Sequence, residues 1–140
     1  MSTAAEAKRP VVLVVDDFAD NREMYSEYLS FSGYDVIEAQ NGKEAVEAAQ
    51  AKMPDIIIMD LSLPVMDGWE ATRRLKADDR TRQIPVVALT GHALAGHSKG
   101  AREAGCDSFL AKPCLPDQLV AEIKRMLEAG KATIKAKGGK

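Results

Sequence analysis

Three stretches of the chain are runs of apolar, largely β-branched residues that end abruptly on a polar side chain. Pro10-Val11-Val12-Leu13-Val14-Val15 stops at Asp16-Asp17, Asp55-Ile56-Ile57-Ile58-Met59 stops at Asp60, and Val86-Val87-Ala88-Leu89 stops at Thr90. An apolar run without polar alternation is the pattern of a strand buried on both faces, which is the situation of strands in a parallel sheet covered by helices. Two shorter segments, Asp35 to Glu38 and Ser108 to Ala111, read as further strands, the second ending at Lys112-Pro113.

Helical patterns fill the gaps. From Asp20 to Ser32 the residues Met24, Tyr25, Tyr28 and Leu29 recur at helical spacing, and Gly33 follows where a left-handed cap is needed. Gly42 to Lys52 carries Ala45, Val46 and Ala49 on one face, and after the loop from Leu61 to Met66 a helix can start with Asp67 as cap and Glu70 three residues on. A Gly-rich stretch, Gly91 to Gly100, leads into a short helix closed by Gly105. The last helix has Pro116 in its first turn and Leu119, Ile123, Met126 and Leu127 on its buried face. Five strands alternating with five helices predict an α/β fold, a doubly wound parallel sheet covered on both sides.

At 140 residues and 46% hydrophobic content, one such domain accounts for the chain. We expect residues 1–9 to be a flexible N-terminal segment, 10–129 the folded domain, and 130–140, with too little apolar content to pack, a flexible basic tail. The 19 basic and 21 acidic residues are unevenly spread: setting aside Lys131, Lys135, Lys137 and Lys140 leaves 15 against 21, so the body is acidic. A short basic end is ordinarily solvated, and no nucleic-acid binding is expected from it. No apolar run is long enough for a membrane span, and the first ten residues lack the apolar stretch of a signal peptide, which predicts a cytoplasmic protein without membrane contact. Cys106 and Cys114 lie in different segments without further cysteines or a histidine cluster, so each is expected to be a small apolar residue.

In open α/β sheets the ligand site lies beyond the carboxyl ends of the strands. Asp16, Asp17, Asp60, Thr90 and Lys112 therefore converge, although they are far apart in sequence. Three crowded carboxylates raise one another's pKa unless a cation is present. Carboxylates with a backbone carbonyl and water suit Mg²⁺, with Mn²⁺ as a substitute. A hydroxyl and an ammonium at the same rim supply a hydrogen bond and a positive charge to phosphoryl oxygens, and one carboxylate is left to act as nucleophile.

Val14-Val15-Asp16-Asp17, Ile58-Met59-Asp60-Leu61-Ser62-Leu63-Pro64-Val65-Met66-Asp67-Gly68, Ala88-Leu89-Thr90-Gly91 and Ala111-Lys112-Pro113 resemble the blocks that mark response-regulator receiver domains of two-component systems, of the CheY-like single-domain type. The resemblance spans residues 10–129 and implies a (βα)5 flavodoxin-like fold with strand order 2-1-3-4-5. It implies that Asp60 is the phosphoacceptor, Asp17 a direct Mg²⁺ ligand, Asp16 a ligand through water, and the backbone carbonyl of Ser62 a further ligand. It makes Thr90 and Phe109 a switch pair, Lys112 a phosphoryl partner, and the Lys112-Pro113 peptide cis. Ser62 and His92 would border the phosphoryl group and tune its access to water, although both are equally at home as loop polars.

The resemblance further implies a phosphorylation-activated signalling protein rather than an enzyme, one that promotes its own Mg²⁺-dependent phosphotransfer and autodephosphorylation. Its partners would be a sensor histidine kinase or histidine phosphotransfer protein, docking near Phe18, Ala19 and Asn21, and a downstream protein at the surface of the fourth helix, fifth strand and fifth helix. Cys114 stands where many such domains carry Phe, which predicts looser packing of the loop after Lys112.

Taken singly, an Asp-Asp pair is most often a turn or cap and a Lys-Pro only a turn. Four such signals at the ends of four strands carry the functional reading together. A haloacid-dehalogenase-like phosphatase needs a carboxylate two residues after its nucleophile, where this chain has Ser62. A flavodoxin needs a hydroxyl- and Gly-rich phosphate loop after the first strand, where this chain has Asp16-Asp17-Phe18-Ala19-Asp20. A phosphorylation-independent scaffold would lack a site residue. No output domain fits outside residues 10–129, so the chain is either a stand-alone regulator or a receiver from a larger protein.

Overall fold

The computed structural model describes residues 9–61, 68–90, 105–112 and 114–138, with side chains up to Ala129. The strands are β1 (Val11–Val15), β2 (Asp35–Ala39), β3 (Ile56–Asp60), β4 (Val86–Thr90) and β5 (Ser108–Ala111). They form one parallel sheet in the order β2-β1-β3-β4-β5, so the first strand lies between the second and third. The helices among the described residues are α1 (Ala19–Phe31), α2 (Gly42–Lys52), α3 (Gly68–Ala77) and α4 (Pro116–Gly138). The short helix expected before Gly105 lies outside the described residues, as does Asp67, the expected cap of α3.

Strand alternation divides the core into two layers. Val12, Val14, Ile56, Ile58, Val87 and Leu89 point to one face and are covered by Tyr25 and Leu29 of α1 and Leu119, Val120 and Ile123 of α4. Leu13, Val15, Ile57, Met59 and Val86 point to the other, against Ala45 and Ala49 of α2 and Ala71 and Leu75 of α3. Because both faces are covered, the three central strands need the unbroken apolar runs that the sequence shows.

The ends of the helices follow local chemistry. Asn41 Oδ1 accepts the Glu44 N–H at 2.9 Å, and Glu44 reaches back to the Gln40 N–H at 2.9 Å, so two free donors at the start of α2 are satisfied. Gly33 takes a φ of 106° just past α1, which lets the Tyr34 N–H return to the Leu29 carbonyl at 3.0 Å.

Two features go beyond what the sequence pattern shows. The apolar positions of α1 do not share one face: Tyr25 and Leu29 are buried, whereas Met24 and Tyr28 are 41% and 40% exposed. They lie next to the buried pair along the helix, about 100° away around its axis, and α1 turns them outward with Phe31. At the other end of the chain, helical backbone runs past residue 129 as far as Gly138. Ala132, Lys135, Ala136 and Lys137 are strong helix formers, and intrinsic propensity sustains a helix where apolar periodicity gives no sign of one.

Candidate phosphoacceptor site

Three strands deliver carboxylates or their partners to the same end of the sheet. Asp60 is the last residue of β3, in register with Leu89, and is 2% exposed. Asp16 follows β1, extends its ladder through an N–H bond to the Ala39 carbonyl at 3.1 Å, and is equally buried, while Asp17 beside it is exposed. One carboxylate oxygen from each of Asp16, Asp17 and Asp60 lies within 4.8 Å of the others. From the end of β5 the Lys112 ammonium reaches Asp60 Oδ2 at 2.7 Å. The Lys112 N–H donates to the Thr90 carbonyl at 2.7 Å, which fixes the lysine-bearing backbone to the end of β4.

The electrostatics of this cluster are unbalanced. Burial pushes the Asp16 carboxyl above its ordinary value, with the charges of Asp60 and Asp17 adding to the rise and the Phe18 N–H and the Lys112 ammonium opposing it. Asp16 Oδ1 accepts the Phe18 N–H at 2.9 Å, but Oδ2 is buried with no hydrogen-bond partner. A buried, unpartnered carboxylate oxygen next to two further carboxylates is a poor arrangement for protein alone and a good one for a hard divalent cation with its water. The donor set therefore fits Mg²⁺ on its own chemistry.

Backbone packing explains how Asp60 is held. Gly68 begins α3 directly against the end of β3: a Cβ there would stand 2.4 Å from the Asp60 carbonyl oxygen and 2.7 Å from Leu61 Cα. Its N–H donates to the Leu61 carbonyl at 3.3 Å. This glycine sits in the Met66-Asp67-Gly68 block, but its need for close approach is visible only in three dimensions.

Alternation also separates the side chains. Asp60 continues the face of Ile56 and Ile58, whereas Thr90, buried at the end of β4, continues the opposite face, that of Val86 and Ala88. Phe109, in register with Ala88, is half-buried there in a cluster with Leu61, Trp69 and Cys106. Ser62, His92 and Pro113 lie outside the described residues. Cys114 is buried among Tyr25 and Leu119 rather than loosely packed, and its carbonyl accepts the Tyr25 hydroxyl at 2.7 Å. Burial pushes the thiols of Cys106 and Cys114 up, away from reactive thiolate.

The family model of the response regulator receiver domain matches residues 12–124. The chain belongs to the receiver-domain family. The receiver is 37% identical over 116 residues to the polar-differentiation response regulator DivK of Brucella anthropi, a match covering 83% of this chain and 94% of that one. Among solved structures it resembles the chemotaxis protein CheY4 of Vibrio cholerae, with a TM-score of 0.81 and 31% identity over 84% of this chain and 98% of that one. The receiver domain of a sensor histidine kinase from Pseudomonas aeruginosa PAO1, solved with a magnesium ion coordinated in its active-site cleft, matches with a TM-score of 0.75 and 35% identity over 87% and 97% of the two chains. Receiver domains serve two-component signal transduction by phosphorylation, bind Mg²⁺ at an acidic cluster, and interact with histidine kinases and downstream targets. No helix among the described residues is long and apolar enough to cross a membrane.

Proposed function

We propose that Asp60 of this receiver accepts the phosphoryl group from a phosphohistidine, and that the resulting acyl phosphate changes a protein-binding surface. The observation that carries the reading is the Lys112 ammonium 2.7 Å from a buried Asp60 that has two more carboxylates beside it. Asp16, Asp17 and Asp60 would hold Mg²⁺, with the Ser62 carbonyl as a further ligand. When bound, the ion supplies positive charge that neutralises phosphoryl oxygens and lets the carboxylates coexist.

The chain's own groups do the rest. An Asp60 carboxylate oxygen attacks phosphorus in line, the phosphorus–nitrogen bond to the donor imidazole breaks, and the nitrogen keeps the electron pair. Lys112, now paired with Asp60, transfers its hydrogen bonds to a phosphoryl oxygen and stabilises the charge there. The buried setting strengthens that interaction relative to water. Thr90 then turns its hydroxyl toward the phosphoryl group, and the room it leaves is taken by Phe109, which already packs against Leu61 and Ala88. Hydrolysis at the same site, modulated by Ser62 and His92, resets the protein.

The phosphodonor would dock beside the start of α1, where Phe18 next to the acidic loop and Met24 in the following turn are exposed. The downstream partner would read β5 and α4 with the segment before Gly105. Intact-protein mass spectrometry after treatment with acetyl phosphate tests the central claim. Mg²⁺-dependent addition of one phosphoryl group, absent in Asp60→Asn, is expected, and equal labelling of that variant would refute it.

A further inference from the structure

Two side chains on one face of α1 reach the backbone of the two loops that build the site. Arg22 Nη1 donates to the Asp16 carbonyl at 2.9 Å, and its Nε is held by Glu38 Oε1 at 3.0 Å. The guanidinium side chain is only 13% exposed, so this is a packed fork rather than a loose surface pair. One turn later the buried Tyr25 hydroxyl donates to the Cys114 carbonyl, two residues beyond Lys112. Burial, reinforced by charge at Cys114, Asp16 and Asp60, pushes this phenol up to about 12, so it remains a donor at neutral pH. Residues three apart share a helix face, and the acidic loop and the lysine loop are thus fastened to the same turn of α1.

We propose that Arg22 and Tyr25 are positioning residues: Arg22 sets the acidic loop, Tyr25 sets the lysine loop, and α1 holds the metal-binding carboxylates and the Lys112 ammonium at a fixed separation across Asp60. The inference rests on the function proposed above. It also gives α1 a second role. The helix whose outer face carries Met24, Tyr28 and Phe31 is, on its inner face, the brace of the site, so a donor protein docked on it bears directly on the reacting geometry.

A purely structural role would lower stability and leave the site's constants alone, whereas a brace with two separate attachments predicts two separable defects. In Tyr25→Phe, which keeps the ring and loses only the hydroxyl, the rate of phosphorylation by acetyl phosphate at saturating Mg²⁺ should fall about threefold to tenfold, with the Mg²⁺ dissociation constant within about twofold of wild type. In Arg22→Met the pattern should reverse: Mg²⁺ binding, measured by calorimetry, weakens about threefold to tenfold and the rate at saturating Mg²⁺ stays within about twofold. Arg22→Lys, which keeps the charge but loses the planar fork that spans Glu38 and the Asp16 carbonyl, replaces Arg22→Met if that variant does not fold. Variants that melt lower but keep both constants would overturn the proposal, as would identical losses of both constants in the two variants. A wild-type protein that takes no phosphoryl group at all would sink the proposed function instead, and the calorimetric comparison would still decide whether Arg22 sets the metal-binding loop.

Discussion

Gly68→Ala is a severe test of how the end of β3 that carries Asp60 is held, because two effects of opposite sign meet at one methyl group. Alanine is the better helix former, and replacing a glycine at a compatible position stabilises by about 0.4–1 kcal/mol. Against this, the new Cβ would stand 2.4 Å from the Asp60 carbonyl oxygen, where ordinary contact begins at 3.4 Å. The start of α3 and the Asp60–Leu61 backbone must therefore part by about 1 Å, and both sides are backbone, so no flexible side chain can absorb the move. Overpacking of this kind costs about 1–3 kcal/mol. Weakening the 3.3 Å bond from the Gly68 N–H to the Leu61 carbonyl adds about 1 kcal/mol. The steric effect wins by about 1–3 kcal/mol, or a fall in melting temperature of roughly 3–12 °C for a domain of this size. Phosphorylation by acetyl phosphate should slow as well, since displacement of a reacting group by about 1 Å can cost on the order of a hundredfold. Urea unfolding and a phosphorylation time course check the two parts. A variant that melts at or above wild type and is phosphorylated at the wild-type rate would show that α3 does not constrain Asp60.

Two further outcomes follow from charges in the fold. The Asp16 carboxyl is raised above its ordinary value chiefly by burial, so in metal-free protein it destabilises the fold at neutral pH, and that penalty is relieved as pH falls through the raised pKa toward about 3.9. Asp16→Asn should accordingly unfold at higher urea than wild type at pH 7 in chelator, with the advantage shrinking in acid, and added Mg²⁺ should stabilise wild type more than the variant; an advantage that grows in acid would contradict the sign. Lys76→Met removes an ammonium that serves the Arg82 carbonyl at 3.0 Å, the Ile84 carbonyl at 2.9 Å and Asp107 at 2.8 Å, tying α3 to the entrances of β4 and β5. Since these groups are partly solvated, a loss of about 1–2 kcal/mol by urea unfolding is expected, with Mg²⁺ affinity unchanged because the contacts lie at the end of the sheet away from the site.

The sheet and the positions of Asp16, Asp17, Asp60, Thr90 and Lys112 at its carboxyl edge are legible in the sequence for one reason. Strands covered on both faces must be apolar throughout, so each polar residue that ends a run is conspicuous. Side chains whose role depends on what they meet across the fold are not legible in that way. Nothing in the spacing of Arg22 or Tyr25 tells that one reaches the Asp16 carbonyl and the other the Cys114 carbonyl. Tyr25 is one of several apolar residues along α1, and only the packed structure separates it from Met24 and Tyr28. Gly68 reads as a loop or helix-start glycine until the distance to Asp60 is known. The continuation of α4 to Gly138 escapes a pattern-based reading because alanine and lysine favour helix without marking a buried face.

The opposed directions of Asp60 and Thr90 across the sheet have a consequence for how such a protein can diverge. Asp60 and Tyr25 sit on the layer of α1 and α4, whereas Thr90 and Phe109 belong to the layer that holds Trp69 and Cys106. Under the proposed function, substitutions around Trp69 and Cys106 retune the Thr90–Phe109 switch while the chemistry at Asp60 stays intact, whereas α4 shares the layer of Asp60 and would also form part of the reading surface. A chain built this way can adjust how strongly it responds without relearning how it is addressed, but a new listener at α4 has to be fitted around the packing of Asp60's own layer.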